Sequence, residues 1–199
     1  MAADVDWVVP LPDGLDAAGA ATVPLNAQSA SRVLAVADLT APTTVLVIGA
    51  SGGVGGFVAQ LAVAAGHRVV AVATSGDEDW VAGLGVAEVV SRDADLATVG
   101  PVPVVLDVVP VGAPAHPAVA DGGTLLTTRP TEPIDPARGV RQELVLVVPD
   151  RDLLRRRVAD VAAGALRTRV AAVLPLAEAA EAHRLAETHG VRGKVILAP

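Results

Sequence analysis

The sequence predicts a Rossmann fold, an α/β single domain built on a doubly wound parallel sheet of about six strands. Three observations support this prediction. Short apolar runs rich in β-branched residues alternate with helical stretches, which implies right-handed βαβ crossovers. A glycine-rich turn directly follows the first of these runs and opens a helix. Apolar residues make up 52% of the chain, so a core of small and branched aliphatic side chains is expected.

The elements begin with a lead-in, residues 1–40, which precedes the Rossmann core. Its prolines keep the backbone extended over residues 8–14. Two short helices are expected after this extended stretch, near residues 16–22 and 26–37.

The Rossmann core is expected over residues 41–150, and its first strand is the β-branched run 43–48. The turn at residues 49–56 leads into a helix that ends at Gly66, because glycine stops a helix readily. Shorter runs bounded by glycine continue the alternation. They predict strands at 68–73, 88–90, 102–106, 123–127 and 143–148, a helix at 78–84 and a helical turn at 115–120.

Residues 151–199 form a C-terminal extension that we expect to pack on the core. Pro149 and Asp150 are a start signal for its first helix, and Gly164 ends that helix. The expected elements are a helix at 151–163, a strand at 170–174, a helix over 176–188 that ends at Gly190, and a strand at 194–197.

The glycine-rich turn predicts a site for the pyrophosphate of NAD(H) or NADP(H), because it lies between a strand and a helix. The first glycine allows the tight turn, the middle pair lets a phosphate approach the backbone, and the last lets the helix pack on the sheet. The N–H groups at the helix start attract anions. The turn reads Gly49-Ala50-Ser51-Gly52-Gly53-Val54-Gly55, and Gly49, Ser51, Gly52, Gly53 and Val54 are the expected contacts.

The end of the second strand bears on the choice between NAD and NADP. Thr74 and Ser75 can hydrogen-bond either a ribose 2′-hydroxyl or a 2′-phosphate. The acidic run Asp77-Glu78-Asp79 would repel a 2′-phosphate, but it also suits the first turn of the next helix. The helix-start interpretation is the favoured one, and the cofactor preference stays open.

Metal and acid–base candidates are few. The four histidines show no metal-ligand spacing and the chain has no cysteine, so no metal, zinc included, is expected. The predicted elements place His116 near the C-terminal edge of the sheet, where open α/β folds bind ligands, which makes it the candidate acid–base residue. Asp107 is expected at the same edge as a structural carboxylate that accepts nearby N–H groups. The other histidines are His67, His183 and His189.

Charge and hydropathy exclude two classes of partner. A formal net charge of −7 argues against nucleic acid, since phosphate binding needs a basic face. The uncharged stretch 39–66 is long enough to span a bilayer, but its glycines and Pro42 favour strand, turn and helix. The N-terminus has no signal-peptide pattern. We therefore expect a cytoplasmic protein without membrane or nucleic-acid partners.

The segment 44–55 resembles the cofactor domain of the zinc-independent, zeta-crystallin-like quinone oxidoreductases of the medium-chain dehydrogenase/reductase superfamily. Other blocks agree with this resemblance in the same order along the chain: residues 9–15, 25–30, 174–183 and 192–197. The resemblance implies that the glycine turn holds the pyrophosphate and that Thr74 and Ser75 face the adenosine ribose. It further implies positions near the adenosine half for Val108 and near the nicotinamide for Thr127 and Thr128.

The resemblance implies hydride transfer from NAD(P)H to a small-molecule quinone or enone. Family members carry an N-terminal GroES-like catalytic domain that forms half of the substrate cleft, and this chain begins after it. A separate catalytic-domain chain, a dimer mate or an upstream segment would then complete the cleft. Two non-redox alternatives stay open. One is a biosynthetic enzyme that uses the open cleft for cyclisation or dehydration, and the other is a nucleotide-binding interaction module.

A homodimer is also expected. Family members pair through an edge of this sheet, and residues 144–148 would otherwise form an exposed apolar edge.

Overall fold

The computed structural model describes residues 4–188 and 191–199. The chain forms two compact units. The larger comprises Ser29–Val147, and the smaller joins the residues up to Gln28 with those from Val148 onward. The expected division at residues 40 and 150 stays a prediction. His189 and Gly190, the predicted end of the last helix, lie outside the described residues.

The larger unit contains a six-stranded parallel sheet in the order β3-β2-β1-β4-β5-β6, which confirms the predicted Rossmann fold. The central strands are buried on both faces, since they are continuous apolar runs. The strands are β1 (Thr44–Ile48), β2 (Arg68–Ala73), β3 (Glu88–Ser91), β4 (Val102–Asp107), β5 (Val119–Thr127) and β6 (Arg141–Leu144).

Helices alternate with these strands as predicted. The helix that follows β1 begins at Gly53, earlier than the sequence suggests, because the glycines of the turn themselves take helical backbone. The helices of the chain are α1 (Ala17–Ala21), α2 (Val23–Ala37), α3 (Gly53–Ala64), α4 (Glu78–Ala82), α5 (Arg151–Ala162) and α6 (Ala179–Glu187).

The connection from β4 to β5 contains a 3₁₀ segment, Ala113–Ala118, where a helical turn is predicted. Its Ala115 and Ala118 are fully buried in the main core cluster, beside leucines and valines of the sheet. Small side chains let this segment lie close to the sheet without a full crossover helix.

The last two strands of the sheet differ from the prediction. β5 begins at Val119 and not at residue 123, and its pairing with β4 is irregular between Val102 and Val104. The edge strand β6 ends at Leu144, although an apolar strand over 143–148 is predicted. Its ladder with β5 closes where the Val145 N–H donates to the Thr127 carbonyl, because β5 ends there.

The smaller unit contains α1, α5, α6 and a separate parallel pair, β7 (Val170–Pro175) with β8 (Lys194–Ala198). The Asp150 carboxylate accepts the Leu153 N–H at 2.8 Å and caps α5, which confirms the predicted start signal. The Gln28 side-chain oxygen accepts the Asp150 N–H at 2.7 Å, so this cap is itself held in place.

None of the helices in the described ranges has the length and apolar character that a membrane span requires. The uncharged stretch 39–66 divides into β1, the glycine turn and α3, as expected.

Candidate functional site

The candidate site lies at the carboxyl ends of β1 and β4. The strand order reverses between these two neighbours, and open α/β sheets bind ligands in the crevice outside such a switch point. Most of the predicted site residues follow strands that end at this edge. They are the glycine turn after β1, Thr74 and Ser75 after β2, Val108 after β4, and Thr127 with Thr128 at the end of β5.

Two glycines are required by the geometry of the turn. Gly49 has φ +94°, and a Cβ atom there would lie 2.6 Å from Val109 Cγ2. A Cβ atom on Gly55 would lie 2.1 Å from the Gly49 carbonyl oxygen, a backbone atom that cannot move aside. The first turn of α3 therefore packs directly against the end of β1.

The start of α3 is suited to an anion. Gly52 is the N-cap residue, and no side chain caps the helix there. The Gly52 N–H donates to the Gly49 carbonyl at 2.9 Å, which closes the turn and leaves the N–H groups at Gly53 and Val54 to head the helix. A pyrophosphate fits this arrangement, because bare glycine backbone and the positive end of the helix dipole face the same place.

Ser51 joins the turn to the end of β2. Its hydroxyl oxygen accepts the Thr74 N–H at 2.9 Å, while its own proton stays available to a ligand. Thr74 is half-buried, and Ser75, the next residue in the chain, is exposed. The structure thus brings together the residues that the resemblance assigns to phosphate and ribose.

The acidic run after β2 begins a helix, as the helix-start interpretation predicts, and the cofactor preference stays a prediction. Asp77 is the N-cap residue of α4, and Glu78 and Asp79 lie in its first turn. The Glu78 carboxylate accepts the Gly76 N–H at 2.7 Å, so it faces its own backbone.

Asp107 organises the loop after β4. Its side chain is 1% exposed, and Oδ2 accepts the Val111 N–H at 2.7 Å, which confirms its predicted structural role. Burial raises the pKa of Asp107 above its ordinary value of 3.8, while N–H groups of Val111, Val109 and Gly112 act in the opposite direction. Oδ1 has no hydrogen-bond partner among the described residues. Burial therefore outweighs the donors, and ionised Asp107 is costly.

Val108 links three strand ends through its backbone. Its N–H donates to the Ile48 carbonyl at 3.2 Å, and its carbonyl accepts the Thr128 hydroxyl at 3.2 Å. Thr127 is buried and pairs with Asp107 in the ladder. The ends of β1, β4 and β5 are thus held in one layer beside the crevice.

A pocket of about 330 Å³ opens between the loops after β4 and β5. Gln142 of β6 supports it: its side chain accepts the Ile134 N–H at 2.8 Å and donates to the Glu132 carbonyl at 2.9 Å and the Thr131 hydroxyl at 3.1 Å. The sequence does not predict this pocket directly. Its lining residues do follow two predicted strands, and loops in that position could have indicated a pocket at this edge. Its lining residues are Pro110, Val111, Gly112, Pro130, Thr131 and Glu132.

The predicted position of His116 is wrong. The Arg138 guanidinium donates to the carbonyl oxygens of both His116 and Val119, and Val119 pairs with Val102, the first residue of β4. His116 therefore lies near the amino ends of β4 and β5, opposite the crevice. The 3₁₀ segment Ala113–Ala118 leads directly into β5, so the chain is already close to the amino edge of the sheet at His116. Its Nε2 atom is buried without a partner among the described residues.

In the described ranges, no hydrogen bond connects His67 or His183 to the residues of the crevice. His67 Nδ1 accepts the Thr43 N–H at 3.4 Å, at the amino end of β1, and His183 is exposed on α6. His189 lies outside the described residues. Within residues 4–188 and 191–199, no group of histidine and acidic side chains could hold a metal ion.

Comparison with known proteins gives a family match and several similar structures. The model of a family described as zinc-binding dehydrogenase matches residues 84–197. The acrylyl-CoA reductase AcuI of Ruegeria pomeroyi is 38% identical over an alignment of 93 residues that covers 44% of this chain and 28% of that protein.

Two solved structures show the same fold. A quinone oxidoreductase from Coxiella burnetii has a TM-score of 0.84 at 24% identity, over 95% of this chain and 63% of the other. A mycobacterial protein solved in complex with NADPH has a TM-score of 0.77 at 26% identity, over 94% of this chain and 66% of the other. The chain thus spans between 28% and 66% of the length of these three relatives.

Gly55→Ala should lower the free energy of unfolding by about 1–3 kcal/mol, because its Cβ atom would push α3 away from the turn. Urea denaturation measures the change. Gly56→Ala is the matched control, since a Cβ atom there lies 3.5 Å from its nearest neighbour, an ordinary contact. Equal losses in the two variants would contradict the proposed packing.

Asp107→Asn should change how stability depends on pH. Because the folded-state pKa lies above the unfolded value of 3.8, the contribution of Asp107 is full below pH 3.8 and is lost as the pH rises through the folded-state pKa. Asparagine does not ionise and still offers an oxygen to the Val111 N–H. The variant should therefore gain free energy of unfolding relative to wild type as the pH rises.

Urea denaturation from about pH 4 to about pH 8 tests this dependence. Asp13→Asn, on the exposed lead-in, is the control for an equal charge change. A stability difference between wild type and Asp107→Asn that stays constant with pH would overturn the assignment.

Proposed function

The chain belongs to the zinc-binding dehydrogenase family of the medium-chain dehydrogenase/reductase superfamily, and we propose that it is the NAD(P)H-binding domain of a reductase of conjugated carbonyl compounds. Membership of this family establishes an oxidoreductase domain. The proposal adds that the substrates are enones or quinones. Support for it comes from the relative that is an acrylyl-CoA reductase, since acrylyl-CoA carries a carbon–carbon double bond conjugated to a carbonyl.

The observation that carries the proposal is the phosphate cradle at the start of α3. Gly49 and Gly55 shape it, and Gly52 leaves the helix start without a side-chain cap. The NADPH complex of the mycobacterial neighbour supports a dinucleotide as its ligand.

Different residues along the crevice would bind different parts of the cofactor. Ser51 and Thr74 would take the adenosine ribose, and the N–H groups of Gly53 and Val54 would take the pyrophosphate. The bound cofactor supplies the hydride. The pocket beside Thr128, lined by Pro110, Val111 and Pro130, would receive the reacting ends of cofactor and substrate.

Asp107 and Gln142 act through the backbone that they hold. Asp107 fixes the loop that seats Val109 against Gly49, and Gln142 fixes the loop on the other side of the pocket. Both are therefore positioning residues in the proposed site. No described side chain with an ordinary acid–base function lies in the pocket except Glu132, whose carboxylate is exposed at the rim.

Gly52→Asp tests the cradle. Aspartate is a good N-cap residue and Gly52 has φ −84°, but a Cβ atom there would lie 3.3 Å from the Gly49 carbonyl oxygen, so the variant should fold with a small loss of stability. Its carboxylate would occupy and repel the phosphate position, so the affinity for NADPH and NADH should fall by about tenfold or more. Titration calorimetry measures binding, and urea denaturation measures stability.

Ala64→Asp is the matched control, because it adds the same charge at the opposite end of α3. Equal affinities in Gly52→Asp and wild type would sink the cradle assignment. The same samples, assayed with crotonyl-CoA and with a simple quinone, report which acceptor class takes the hydride.

A homodimer through the edge strand β6 is a further part of the proposal. Leu144 and Leu146 of this segment are 44% and 66% exposed, and β6 pairs only with β5 in the described part of the chain. β6 itself reads Arg-Gln-Glu-Leu, so the apolar surface offered to a second copy is Leu144 and the exposed residues just beyond the strand.

Leu146→Arg should shift the protein from dimer to monomer, as measured by light scattering at several concentrations. Leu11→Arg is the control, since Leu11 is similarly exposed in the lead-in and not at the sheet edge. A monomeric wild type at high concentration would contradict the dimer.

A further inference from the structure

One acidic side chain faces the pocket between the loops after β4 and β5. Of the six residues that line this pocket, Glu132 carries the charge, and the others are two prolines, a valine, a glycine and a threonine. Its carboxylate reaches from the loop after β5 to the loop after β4, because a Cβ atom on Gly112 would collide with Glu132 Oε2. A carboxylate therefore lies against one wall of an otherwise uncharged pocket.

Gln142 of β6 fixes the backbone that carries Glu132. Its amide nitrogen donates to the Glu132 carbonyl at 2.9 Å and to the Thr131 hydroxyl oxygen at 3.1 Å. Its amide oxygen accepts the Ile134 N–H at 2.8 Å. These bonds hold the loop on both sides of the Glu132 side chain, so the position of this residue beside the pocket is set by the sheet.

The opposite wall of the pocket leaves room for the carboxylate. Gly112 has φ +71°, a backbone conformation that favours glycine, and it has no side chain to displace Glu132. The N–H groups of Gly112 and Val111 both donate to the buried carboxyl group of Asp107. Both walls are therefore anchored to the ends of strands.

The Glu132 carboxylate makes no hydrogen bond or ion pair with any residue that the structure describes. Arg129 is the cation of the same loop, and its charge acts on Asp107. It does not line the pocket. A ligand in the pocket would therefore contact the negative charge of Glu132 directly.

The charges on the neighbouring elements lie outside the pocket lining. Arg138 pairs with Asp121 at 2.7 Å, and Arg141 pairs with Glu143 at 2.6 Å. Asp135 adds a further negative charge to the loop after β5. These groups leave the local charge at the pocket mouth negative.

We propose that Glu132 determines which compounds accept the hydride, by admitting small uncharged conjugated carbonyl compounds that carry a hydroxyl group and excluding carboxylates. This inference rests on the proposed function, because it assumes that the pocket receives the acceptor. A volume of about 330 Å³ suits a small ligand.

The chemistry of a carboxylate gives both parts of this selectivity. An ionised carboxylate accepts hydrogen bonds and donates none, so a hydroxyl group of the acceptor can donate to Glu132. A second carboxylate at about 4 Å would be repelled, which lowers its affinity by about fivefold even at the dielectric constant of bulk water. Discrimination thus comes mainly from repulsion of the wrong compound.

Two matched cyclic enones test the inference: 5-hydroxymethyl-cyclohex-2-enone and its 5-carboxylate analogue. NMR titration of protein saturated with NADP⁺ measures binding without turnover, since NADP⁺ has no hydride to donate. Wild type should bind the hydroxymethyl compound at least about fivefold more tightly than the carboxylate. The N–H signals of Gly112 and Thr131 should shift, because both residues line the pocket.

Two variants of Glu132 and one control complete the test. Glu132→Gln keeps the shape without the charge, so the two affinities should come within about twofold of each other. Glu132→Lys should invert the preference. Asp135→Asn is the matched control, because it removes an equal charge from the same loop outside the pocket and still offers an oxygen to the Ala137 N–H. It should bind both compounds as wild type does.

Equal affinities in wild type, or a preference that persists in Glu132→Gln, would overturn the role of Glu132. Binding that leaves the signals of Gly112 and Thr131 unshifted would overturn it as well. Failure of wild type to bind NADP⁺ would instead overturn the proposed function. The same titrations without nucleotide then show separately whether the pocket distinguishes the two compounds.

Discussion

The close approach of α3 to the end of β1 is the constraint on which the crevice depends. A Cβ atom on Gly55 would lie 2.1 Å from the Gly49 carbonyl oxygen, so only glycine permits this contact. The contact aims the first N–H groups of α3 at the space above β1. It also places Gly49 where Val109 can pack on it, so the loop after β4 takes its position from the same turn.

The loop after β4 shows how the site is maintained at some cost in stability. Asp107 is almost fully buried, and one of its oxygens has no partner among the described residues. Burial raises the pKa of this carboxyl, which means that its ionised form opposes folding at neutral pH. Asp107 nevertheless stabilises the site locally, because its carboxylate accepts the Val111 N–H and so holds the loop that lines the pocket.

Strand pairing brings together, at the crevice, residues that are distant from one another in the sequence. The run at residues 77–79 follows β2 in the chain and lies at the start of α4, where Asp77 is buried and Glu78 accepts the Gly76 N–H. Arg92 is distant from Thr74 in sequence but adjacent to it through the pairing of β3 with β2. The residues that follow β2 in the chain are therefore not the only ones that meet at its carboxyl end.

The sequence by itself determined the strand and helix alternation, the glycine turn and the capping roles of Asp107 and Asp150, because these follow from local periodicity, backbone freedom and neighbouring N–H groups. Only the tertiary structure decided which strand ends meet. It placed His116 at the amino edge, because β5 begins directly after the 3₁₀ segment that contains His116. It ended β6 at Leu144 where β5 runs out, and it formed the pocket from two loops held by Gln142. These outcomes depend on pairing between distant segments, which no local pattern in the chain encodes.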